Sequence, residues 1–270
     1  MASTHAPVAV GVKDLVTDAA AVRLAASEAA ATGRPLHVVH AFMWPLELPP
    51  GGSGEEREQA ERIVANAAAQ ARDRHRDLVV APEVVDGDTI EVLLRAAARG
   101  SMLVIGSDDP GGPADPGASV SFHVAARAAG PVLCARGSGT ASGPVVVGVD
   151  GSPDASEGLA TAIEEARRRG APLVVLHAEG TECAETVTAG DLKVEHRRVE
   201  GPAGQALIAA SAGAQLVVVG AQGDRPTPLG PVTQAVLRHA DCPVLVARKR
   251  HVPAQARISA RRPTARTLTS

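Results

Sequence analysis

Aromatic side chains are nearly missing from this sequence: 270 residues hold two Phe, one Trp and no Tyr. Any core must be built from Val, Leu, Ala and Ile, and an apolar content of 45% supplies enough of them. Cysteine is also scarce. Cys134, Cys183 and Cys242 are an odd set in a chain that is not a small secreted one, which argues against a disulfide framework. No stretch approaches the roughly 18 apolar residues of a membrane span. The first ten residues, MASTHAPVAV, lack a basic segment followed by a long apolar one. A soluble, cytoplasmic protein is expected. Net charge is small as well, −3 with a pI near 6.3, which argues against a general nucleic-acid binder. Neither a G-x-x-x-x-G-K-[ST] phosphate loop nor a G-x-S-x-G nucleophile elbow occurs.

What is present is a repeat. Val8 to Ala41 and Val145 to Ala178 align without a gap, with 13 identities in 34 positions. Gly87 to Gly106 and Gly201 to Gly220 align in the same way. A repeat of this length implies two copies of one domain, and 270 residues suit two domains of roughly 100–200 residues. The copies differ where the first strand ends: Lys13 stands opposite Asp150. The second copy is also shorter, with 23 positions from Ala178 to Gly201 against 46 from Ala41 to Gly87.

Apolar runs alternate with helical patterns. In the first copy, strands are expected at 8–12, 36–41, 82–85, 102–106 and 131–135, and helices at 18–32, 55–76, 89–99 and 119–129. The second copy repeats the order, with strands at 145–149, 173–177, 194–199, 216–220 and 243–247. Its helices are expected at 153–169, 203–212 and 232–239. Strands that are apolar throughout indicate parallel βαβ units covered on both faces. The expected organisation is a domain at 1–137, a Gly/Ser linker at 138–144, a second domain at 145–249 and a basic tail at 250–270. The tail composition suits a disordered solubilising segment, or a weak electrostatic contact with nucleic acid or an acidic partner.

Ligands of an open parallel sheet bind beyond the carboxyl ends of its strands. In the second copy those ends carry Asp150, Ala178 and the loop opening Gly220-Ala-Gln-Gly223. Asp150 can serve as an acceptor for ribose hydroxyls or for an adenine-edge donor. It can equally be a turn residue at a helix start, where Asp, Ser and Pro all fit. Glycines let a backbone approach a phosphate, and the helix after Gly230 would supply N–H donors.

The segment LVVVGAQGDRPTPLGPVTQAVLRHADCPVLVAR at 216–248, with VVVGVDGS at 145–152, resembles the universal stress protein family over nearly all of residues 8–249. The resemblance implies two tandem Rossmann-like α/β domains, each an open parallel sheet of order 3-2-1-4-5 with helices on both faces. It also implies that the fifth strands, Pro131–Arg136 and Pro243–Arg248, pair antiparallel within one chain as a pseudo-dimer. Further homodimerisation stays open. By the same resemblance an ATP site would fall on Val149, Asp150, Ala178, Gly220, Gly223, Gly230, Val232 and Thr233.

The sequence departs from that pattern. Six residues separate Gly223 from Gly230 where the family has nine, and Pro231 stands where the family has Ser or Thr. The first copy has lost its acid to Lys13 and carries Asp108 and Asp109 in its loop, so it is not expected to bind ATP in the family's manner. Lys13 is expected to pair with Asp14 or Asp108. His40 and His177 are read as strand-end structural residues. Cys134 and Cys242 are read as small apolar ones. No catalytic residue and no metal ligand is assigned. The expectation is a regulatory protein that binds an adenine nucleotide, ATP, in its second copy. The alternative is a nucleotide-free scaffold docking a protein partner through loops 42–54 and 108–118.

Overall fold

A computed structural model describes residues 5–44, 53–107, 119–137, 142–178, 191–222 and 228–248. The first half runs β1 (Val8–Gly11), α1 (Ala19–Ala31), β2 (Leu36–Phe42), α2 (Ser53–Arg74), β3 (Val80–Asp86), α3 (Thr89–Arg99), β4 (Met102–Gly106), α4 (Val120–Arg127) and β5 (Val132–Ala135). The second runs β6 (Val145–Val149), α5 (Pro153–Arg169), β7 (Leu173–His177), β8 (Val194–Arg198), α6 (Ala203–Ser211), β9 (Leu216–Gly220), α7 (Pro231–His239) and β10 (Val244–Ala247). Six of these elements coincide with the ranges expected above, and the others shift by one or two residues at an end. Two of the shifts have simple causes. β3 pairs residue for residue with β2 from Leu36↔Val80 to Phe42↔Asp86 and so runs past the apolar run. Its Pro82 is tolerated because β3 is an edge strand. α7 begins at Pro231, whose missing N–H is no loss in the first helical turn.

All ten strands form one sheet of order β3-β2-β1-β4-β5-β10-β9-β6-β7-β8. Every pairing is parallel except β5 with β10, which is antiparallel with Leu245 opposite Leu133. Successive strand residues point to opposite faces, so two apolar layers arise, each continuous across both halves. Val8, Val10, Leu133, Leu173 and Leu245 pack under α1, α2 and α5. Ala9, Leu103, Val217 and Val244 pack under α3, α4, α6 and α7. Small side chains make up for the missing aromatics: Ala21, Ala25, Ala26 and Ala29 are fully buried along α1.

Polar clasps cross the junction. Arg136, which follows β5, donates to the carbonyls of Arg238 and Ala240 at the end of α7. Arg248, which follows β10, donates to Ala125 and Ala126 at the end of α4, both at 2.8 Å. Each arginine thus satisfies orphan carbonyls of a helix in the other half. A third contact joins α1 to α5. Glu28, 3% exposed, is paired with both Arg168 and Arg169, and Glu165 shares the same two guanidiniums. Burial holds the Glu28 carboxyl above its ordinary value of 4.5 despite those cations.

Removing one partner of a buried ion pair strands a charge. Arg169→Ala is expected to lower the unfolding free energy by about 3–5 kcal/mol in urea titration. Because the folded state holds the Glu28 proton more tightly than the unfolded chain, this group's contribution is fullest below pH 4.5. It declines as pH rises through the elevated folded value. Glu28→Gln should remove that part of the pH dependence, and an unchanged profile would contradict the assignment.

Candidate functional site

The strand order of the second half reverses between β6 and β9, and the chain is hollow there. A cavity of about 230 Å³ lies beyond the carboxyl ends of the strands, lined by Val149, Asp150, Ala178, Gly220, Gly230, Val232 and Thr233 together with the neighbours named below. Seven of the eight residues singled out from the sequence meet in one cavity. Gly223 lies outside the described residues.

Local chemistry fixes each group. Asp150 sits before Gly151, whose φ of 81° turns the chain into α5. Its Oδ1 accepts from the Ser152 amide at 3.0 Å and from the Ser152 hydroxyl at 2.6 Å. Ser152 Oγ in turn caps α5 by accepting from Ala155 N at 3.2 Å. Asp150 therefore is the turn residue that the sequence also allowed, with its exposed second oxygen, Oδ2, in no hydrogen bond among the described residues. The Ala178 amide donates to Val149 O at 3.0 Å. Gly220 must be glycine because a Cβ there would come within 2.9 Å of the Asp154 backbone. The Thr233 hydroxyl donates to Gly220 O at 2.7 Å, and the Gly230 amide donates to Ala221 O at 2.9 Å.

The lining also includes Ser152, Leu176, Val199, Leu207 and Gln222, none of them named from the sequence. Leu176 was accessible by alternation from Ala178, two residues on. Leu207 comes from α6 and fills the space a Gly148 side chain would need, at 2.9 Å from its ideal Cβ.

The first half has a counterpart of about 320 Å³, lined by Lys13, Asp18, His40, Thr89, Gly106 and Ser121 among others. Its carboxylate is Asp18, 8% exposed. Asp18 Oδ2 accepts from the amides of Lys13 at 2.6 Å and Asp14 at 3.2 Å. Its Oδ1 lies 2.3 Å from the ideal Cβ position of Gly106. Lys13 does not form the expected ion pair with Asp14. The Asp14 carboxylate instead accepts from Thr17 N, Thr17 Oγ1 and Val16 N, and the Thr17 amide leads in holding it below the ordinary carboxylate value. Asp108 and Asp109 lie outside the described residues.

The two strand-end histidines each make a hydrogen bond. His40 Nδ1 meets Val12 O at 2.9 Å, while His177 Nε2 meets His196 Nδ1 at 2.9 Å in a stacked pair. Burial, with His196 and Arg198 nearby, keeps the His177 pKa low. Among the described residues no group of three His, Cys, Asp or Glu is placed to hold a metal. No helix among them is long and apolar enough to cross a membrane.

The sequence model of the universal stress protein family matches residues 6–136, 142–182 and 178–248. The chain belongs to the universal stress protein family. A universal stress protein of Mycobacterium tuberculosis is 31% identical over 286 residues, covering 90% of this chain and 97% of that one. The crystal structure of a universal stress protein from Archaeoglobus fulgidus covers 88% of this chain and 95% of that chain with a TM-score of 0.75, and at 20% identity it shows a shared fold. Another Archaeoglobus fulgidus universal stress protein, solved in complex with dAMP, matches 49% of this chain at 21% identity and a TM-score of 0.40.

Burial decides what the Cys242 thiol of this universal stress protein can do. Cys242 is fully buried and its pKa is pushed up to about 12, chiefly by desolvation. A thiol in that state is not a nucleophile at neutral pH. Alkylation at pH 8 should leave Cys242 unmodified in the native protein and modify it after urea unfolding. Native labelling of Cys242, read by peptide mass spectrometry, would refute this.

Proposed function

We propose that this universal stress protein is a regulatory binding protein, not a catalyst, and that it takes an adenine nucleotide in the cavity of its second half. The observation that carries this reading is convergence. Residues from the ends of β6, β7 and β9 and from the start of α7, scattered over some eighty positions, line one apolar cleft with a few polar groups. That is the make-up of a small-molecule site. Asp150 Oδ2 is the acceptor for the ribose hydroxyls. ATP is the ligand that the family resemblance brings to this cavity. The first half does not take it, because Asp18 places a buried carboxylate at the corresponding mouth.

In this reading residues 1–137 and 145–249 are the two domains, 138–144 the linker and 250–270 a tail. The β5–β10 junction makes them an intramolecular pseudo-dimer. A second reading, a nucleotide-free scaffold, is favoured by Pro231 and by the exposure of Met43 and Trp44 at the start of loop 42–54. Most of that loop, and loop 108–118, lie outside the described residues.

Isothermal titration calorimetry with adenine nucleotides on the wild type and on Asp150→Ala distinguishes the two. Sub-millimolar binding is expected, weakened about tenfold or more by the substitution, as suits loss of a hydrogen bond to a charged group. No heat with any adenine ligand leaves the scaffold.

A further inference from the structure

Two helices, α4 and α7, each begin in the wall of one cavity and end on an arginine tied to the mouth of the other. We infer that the two cavities are coupled through Arg136 and Arg248, so that the first half regulates the site in the second. The inference rests on the adenine-nucleotide reading above for its ligand and adds the regulation of that site.

The repeat supplies both arginines. PVLCAR at 131–136 aligns with PVLVAR at 243–248, and each arginine follows the fifth strand of its half. The antiparallel junction turns each guanidinium onto a helix of the other half. Arg248 donates to the carbonyls of Ala125 and Ala126 near the end of α4. It also donates to Pro228 O at 3.2 Å, two residues before Gly230 in the wall of the second cavity. Arg136 donates to the carbonyls of Arg238 and Ala240 at the end of α7. It also donates to Ser107 Oγ at 3.3 Å, next to Gly106 in the lining of the first cavity.

The opposite ends of the same helices are cavity wall. α4 opens with Val120 and Ser121 in the first cavity, and α7 with Pro231, Val232 and Thr233 in the second. With eight and nine residues they are rods of about 12 and 14 Å, too short to absorb a shift by bending. A displacement of α7 by a ligand at its first turn is therefore delivered to Arg136 and on to Ser107. A displacement of α4 reaches Arg248 and Pro228.

A further contact joins the rods directly. Arg238, in the last turn of α7, lies over the ring of Phe122, 5.3 Å from its centroid and one residue past Ser121. Coupling also needs an element with two arrangements. The arginines have spare donors for a second one: Nε of Arg238 and Nε of Arg248 are buried with no hydrogen-bond partner among the described residues. Such linkage is reciprocal, so a ligand of the second cavity changes the first by the same factor as the first changes the second.

The test is hydrogen exchange of the full chain, read by peptide mass spectrometry, with and without saturating ATP and magnesium. ATP is expected to slow exchange about fivefold in α4 of the first half as well as in α7. Slowing confined to the second half would overturn the inference while leaving the nucleotide reading intact. Arg248→Lys keeps the charge and gives up the planar fork. With ATP it should still show slowing in α7 and lose it in α4, and slowing in α4 that survives the substitution would count against the inference. Ser107→Ala tests the link without a ligand. It removes one bond of Arg136 at the first mouth and should speed exchange in α7 about threefold, and unchanged exchange there would overturn the inference. If ATP slows exchange nowhere in the wild type, the nucleotide reading fails, and Ser107→Ala alone decides the coupling. The same variant decides it if Arg248→Lys loses the response of α7 as well.

Discussion

Two four-residue strands cannot be left open in this molecule. β5 and β10 are apolar on both faces and fully buried, and an unpaired edge of that kind is a template for aggregation. Their antiparallel union removes both edges at once and converts two five-stranded sheets into one of ten. The remaining edges, β3 and β8, carry Pro82 and the ion-paired Glu195 and Arg197, which suit solvent. The antiparallel sense also sets the placement of the two cavities. Each lies at the carboxyl ends of its own strands, so they open on opposite rims of the sheet and cannot share a ligand.

The junction is complementary rather than symmetric. Glu28 and Glu165 are equivalent positions of the repeat, and by symmetry alone they would oppose acid to acid at the interface. Arg168 and Arg169 neutralise both, and their counterparts in the first half are Ala31 and Thr32. Two first halves meeting in this way would bury two carboxylates without a guanidinium, which costs several kcal/mol per ion. The charge pattern therefore favours the pairing found within the chain.

Much of this was readable from the residues. Parallel strands buried on both faces appear as unbroken apolar runs, so β4, β6, β7 and β9 came out with their observed ends. Asp150, Ala178, Gly220 and Gly230 were accessible because strand ends near a reversal of order point to one mouth. What stayed hidden depends on contacts between distant segments. Nothing near Gln222 tells that its amide is held by Asp154, 68 positions earlier. Nothing near Asp18 tells that its carboxylate turns back to the Lys13 amide and lies against Gly106. The Lys13/Asp150 contrast was visible, but the acid that governs the first cavity stands five residues further on.

Asp18 and Asp154 hold backbone amides of the turns around the two mouths. Backbone amides of the turns around each mouth must find partners once they leave water. A ligand oxygen could provide them, at the cost of a structure that depends on its ligand. Here a carboxylate at the start of the first helix of each half does so instead: Asp18 for Lys13 and Asp14, Asp154 for Gln222. Ser152, Gly220 and Ala221 accept from Ala155 N, the Thr233 hydroxyl and the Gly230 amide in turn. Those amides are thus held by the protein itself, and a ligand of either mouth would add to stability by the mass-action increment RT ln(1 + [L]/Kd).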